Sequence, residues 1–143
     1  MLKLFPLPSF LEKFSQQRVV NVAIFGNGLS LSEWSQLNAS FWHRYNGFTV
    51  NLVDESSEAD VLAVHGPLTP SSWPFFEQWI NARTPTSKVL AIGAEVHTQD
   101  GHILDFQNNP SEFKVDGILP GHPPTPGAIK ESLLKLMSQA NHV

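Results

Sequence analysis

The side chains in this 143-residue chain best suited to acid–base or metal chemistry are six histidines and thirteen acidic residues; there is no cysteine. His122 has the most distinctive setting, in Leu119-Pro120-Gly121-His122-Pro123-Pro124-Thr125. Three prolines fix φ within five residues, so the loop is stiff. A rigid loop between a strand end and a helix start is where an α/β protein presents a functional side chain. Glu95 and His97 stand in another loop, and His65 in a third. Two histidines and a carboxylate suit zinc or ferrous iron if their loops converge. Glu95, His97 and His122 are therefore the candidate metal ligands, with His65 near them. Against this, no His-Glu-x-x-His spacing is present, and loop histidines are commonly just solvated. Serine, histidine and aspartate are all available, but no Gly-x-Ser-x-Gly elbow supports a hydrolase. Asp54, Glu55 and Glu58 read as a solvated acidic turn.

The elements that must position these residues alternate between strand and helix. Val19–Phe25 is apolar and rich in β-branched residues, as expected of a buried parallel strand. Gly26-Asn27-Gly28 breaks it, and Ser30 or Ser32 caps a helix to about Arg44 carrying Leu31, Trp34, Leu37 and Phe41 on one face. Strand, Gly-x-Gly and helix is the geometry of a phosphate cradle. The third glycine and the Lys-Ser/Thr pair are missing, so a plain strand-to-helix turn is the stronger reading.

Further strands are expected at Phe48–Val53, Ala59–Val64, Val89–Ile92 and Asp116–Leu119. The link between the second and third is too short for a crossover helix. Either these strands are neighbours, or the link crosses a sheet edge. Ser71 or Ser72 caps a helix bearing Trp73, Phe76, Trp79 and Ile80, with Pro74 in its first turn. Residues 93–109 show no periodicity and read as a long loop, with a small hairpin about Asp100-Gly101. The last helix runs from about Pro126 to Gln139, capped by Thr125, with Ile129, Leu133 and Leu136 or Met137 facing the core. Before all this, Leu4, Leu7, Phe10, Leu11 and Phe14 form a short amphipathic arm within residues 1–18, which packs on its own domain or on a partner.

The expected fold is a three-layer α/β domain over residues 19–143 with a mainly parallel sheet of about five strands. Ligands of such sheets sit at the carboxyl ends of the strands. The loops there hold Gly26–Leu29, His65–Pro70, Gly93–His97 and Gly121–Pro124.

Composition narrows the function classes. A formal charge of −4 with no Lys/Arg run argues against nucleic acid. Apolar stretches are too short for a bilayer span, and the first residues make a poor signal peptide. A cytoplasmic location is expected. The absence of cysteine removes disulfides, cysteine nucleophiles and thiolate metal sites. Trp34, Trp42, Trp73 and Trp79 are many for this length, and either fill the core or mark an interface.

Three segments, in order, carry a family resemblance. Ala59-Asp60-Val61-Leu62-Ala63-Val64-His65-Gly66-Pro67-Leu68-Thr69 is similar to "ADVLIVxGxxT". Val89-Leu90-Ala91-Ile92-Gly93-Ala94 is similar to "VIAMGSCA". Val115-Asp116 followed by Pro120-Gly121-His122-Pro123-Pro124-Thr125-Pro126 is similar to "VD…VPGCPPxPEAL". Over roughly residues 19–137 the chain resembles the 20 kDa subunit of NADH:quinone oxidoreductase (complex I) and the small subunits of nickel–iron hydrogenases.

The resemblance implies a flavodoxin-like fold whose loops hold a [4Fe–4S] cluster through four cysteines. Here the first loop, with Gly26 and Gly28, has no thiol; the third ligand position falls on or beside Glu95; the fourth falls on His122. A histidine and a carboxylate do not replace four thiolates. The expectation is a cysteine-less member without the cluster: a non-catalytic structural subunit of a complex I-like or energy-converting hydrogenase-related assembly. Its partners would be the large subunit and associated subunits, at the cytoplasmic face of the inner membrane. The alternative is a domain that binds a metal or small ligand in the former cluster pocket.

Overall fold

A computed structural model describes residues 18–26, 34, 48–93, 96–120 and 125–139. The strands and helices in chain order are β1 (Arg18–Phe25), β2 (Phe48–Val53), β3 (Val61–His65), α1 (Trp73–Asn81), β4 (Lys88–Ile92), β5 (Thr98–Gln99), β6 (His102–Leu104), β7 (Pro110–Lys114), β8 (Gly117–Leu119) and α2 (Pro126–Gln139).

Five strands form one parallel sheet in the order β2-β1-β3-β4-β8. This is the 2-1-3-4-5 order of flavodoxin-like folds. β3 sits at its centre and all five of its residues are buried, as expected of a strand covered on both faces. Side chains alternate between two cores. Val20, Val22, Val61, Ala63, Leu90, Ile92 and Leu119 meet Ile129, Leu133 and Leu136 of α2, together with Trp34. Ala23, Leu62, Val64, Val89 and Ala91 meet Phe76 and Ile80 of α1. The α/β class, the five parallel strands and both described helices agree with the sequence reading. The N-terminal arm and most of the segment between β1 and β2 lie outside the described residues.

The link between β2 and β3 follows from register. Val53 pairs with Ala23 on one side of β1, while Val61 pairs with Val22 on the other. β3 thus starts almost level with the end of β2, and the chain only has to cross β1. It does so through a short 3-10 turn, Ser56–Glu58. Ser56 is buried and its hydroxyl donates to the Trp79 carbonyl, which ties the link to α1. Asp54, Glu55 and Glu58 are exposed, in keeping with a solvated turn.

Two expectations need correction. Residues 93–109 are not simply a long loop with a hairpin. The Asp100-Gly101 hairpin is present, with φ of 53° and 81°, but it belongs to a three-stranded antiparallel sheet, β5-β6-β7. Ile103 and Phe113 from that sheet pack into the same core as α1. The strands are too short and too polar outside these two residues to give a period. Ser72 is the N-cap residue of α1, but its side chain makes no cap hydrogen bond. Its hydroxyl instead accepts the Thr69 N–H and donates to the Thr69 carbonyl.

Two aspartates fix strand register at the amino ends of the strands. Asp60, just before β3, accepts the Asn21 N–H at Oδ2 (2.8 Å), and its own N–H donates to the Asn21 carbonyl (2.7 Å). Asp116, just before β8, does the same with Val89, at 2.7 and 2.8 Å. Each side chain extends the ladder by one bond where the strand has not yet begun. These aspartates belong to the Ala-Asp-Val-Leu and Val-Asp motifs noted in the sequence. Their contacts are structural, at the end of the sheet away from the loops that could hold a ligand.

Candidate functional site

The carboxyl end of the sheet is built around β1 and β3. Gly26 ends β1 with φ of +130°, a conformation that side chains disfavour. A Cβ there would stand 2.7 Å from Cβ of His65, and closer still to the His65 carbonyl oxygen. The glycine therefore serves a close backbone approach, which accounts for it without a phosphate.

His65 ends β3 and is buried. Its Nε2 accepts the indole N–H of Trp34 at 3.1 Å, with the rings edge-on at 74°. Trp34 is 1% exposed, so this bond lies away from water. A neutral imidazole that accepts at Nε2 carries its hydrogen on Nδ1. The lone pair a metal would need at Nε2 is thus already engaged.

The chain after β3 turns through a cis Gly66–Pro67 bond into a fixed loop. Thr69 N–H donates to the Ser72 hydroxyl at 2.8 Å, and Trp73 N–H to the Thr69 carbonyl at 2.9 Å. Across from this loop stands the turn between β6 and β7. There Oδ1 of Asp105 accepts the N–H groups of Gln107 and Asn109, at 2.8 and 2.9 Å. Between the two lies an open cleft of about 350 Å³, lined by Pro67, Leu68, His97, Leu104, Asp105, Phe106 and Asn108. Phe106 is 43% exposed and packs edge-on to Trp73, with ring centroids 6.4 Å apart. Trp73 continues through Phe76 (5.2 Å) to Phe25 (5.4 Å), so the cleft wall is backed by aromatic core.

α2 opens with Thr125, whose Oγ1 accepts the Ala128 N–H at 3.1 Å. This is the expected N-cap. One turn further on, Lys130 is 2% exposed. Burial pushes its ammonium below the ordinary lysine range, because the charged form loses hydration.

Of the proposed metal ligands, His97 is exposed and lines the cleft. Glu95 and His122 lie outside the described residues, as does Gly28. Among the described residues no three His, Asp or Glu side chains gather in a way that could hold a metal ion. Among the tryptophans, Trp34 is core, while Trp73 and Trp79 are half-buried against the core under α1; Trp42 lies outside the described residues. Sequence reasoning passed over Lys130 and the cleft. Lys130 lies four residues after Pro126 and three before Leu133, a helical stripe that could have marked it.

The fold has a counterpart among solved structures. A chain of the membrane-bound sulfane sulfur reductase, an archaeal respiratory membrane complex, superposes with a TM-score of 0.62. The overlap covers 91% of this chain and 75% of that one, at 18% identity. That likeness establishes a shared fold. In sequence, an uncharacterised protein of Methanocaldococcus jannaschii is 28% identical over 137 residues, 91% of this chain and 90% of that protein. No family model matches. No helix among the described residues is long and apolar enough to cross a membrane.

Proposed function

We propose that this chain is a cluster-free, non-catalytic subunit of a complex I-like or energy-converting hydrogenase-related assembly. The observation that carries the reading is the absence of cysteine from a chain with this fold and these loops. A [4Fe–4S] cluster needs thiolate ligands, and no loop of this chain can supply one. The fold it shares with a chain of an archaeal respiratory membrane complex supports a place in a related assembly. The three segments that resemble the complex I 20 kDa and hydrogenase small subunits support the same place. The chain would then fill the position of a cluster-bearing subunit without its redox role. Its neighbours would be a hydrogenase-like or complex I-like large subunit and associated subunits, at the cytoplasmic face of the membrane.

Anaerobic incubation of the purified protein with iron and sulfide tests the cluster half of this reading. The expected result is no bound iron or sulfide and no visible absorbance of the cluster type. Stoichiometric iron and sulfide with such a spectrum would overturn it. Affinity purification from the native cells tests the subunit half.

A further inference from the structure

We draw no further inference here: the strongest candidate, the open cleft between the β3–α1 loop and the β6–β7 turn, mixes apolar walls with His97, Asp105 and Asn108, and nothing in the structure shows what occupies it.

Discussion

Trp34 donates its indole N–H to Nε2 of His65 across 3.1 Å, with both residues buried. The bond joins the segment between β1 and β2 to the end of the central strand. If it holds that segment, its two partners are energetically coupled. His65→Leu leaves a buried indole N–H unpaired and should cost about 1–3 kcal/mol. Trp34→Phe removes the indole donor to Nε2 of His65. A double-mutant cycle read by urea unfolding should give a coupling of about 0.5–3 kcal/mol. Strict additivity would mean that the contact carries no weight.

Gly26 and Gly101 both have positive φ, but only Gly26 is crowded. A Cβ on Gly101 meets nothing within 4 Å, while one on Gly26 runs into His65. Gly101→Ala should therefore cost about 1–2 kcal/mol, the price of the left-handed conformation. Gly26→Ala should cost about 1–3 kcal/mol more, because β1 and β3 must move apart. Equal losses in thermal or urea unfolding would refute the close-approach account.

Asp116 pairs with the N–H of Val89, a residue only 2% exposed. Asp116→Ala should cost about 1–3 kcal/mol by stranding that donor. Asp116→Asn keeps an acceptor and should recover part of the loss. Hydrogen exchange at the Val89 amide should quicken in the alanine variant and remain near normal in the asparagine one.

Lys130 gives a pH signature. Its folded-state pKa is lowered by burial while the unfolded chain keeps the ordinary value. The unfolded state therefore binds more protons between the two values. Stability attributable to this group is fully present above the unfolded pKa and is lost as pH falls through the folded one. Urea unfolding should thus show a rise in stability toward alkaline pH. In Lys130→Met that rise should flatten. An unchanged pH profile in the variant would remove Lys130 as its source.

Much of the fold was legible because its signals are local. β2 and α2 match their predicted limits, since an apolar β-branched run and a Thr-Pro start each mark themselves. The β2–β3 relation was not legible, because it depends on a one-residue stagger across β1 that no local pattern encodes. The small sheet was hidden for another reason: only Ile103 and Phe113 reach the core from it. At the site, His65 was visible as a residue but not as an acceptor, since Trp34 is 31 positions away. The cleft was invisible because its two walls are assembled from separate loops.

The central claim is that the chain is a subunit of a larger assembly and carries no cluster of its own. The most direct measurement is affinity purification of the tagged chain from its native cells, with the composition and stoichiometry of the eluate read by native mass spectrometry. The account predicts a stoichiometric hydrogenase-like or complex I-like large subunit bound to this chain, whose own mass shows no iron or sulfide. A chain recovered without any such subunit, or one carrying a cluster, would contradict it.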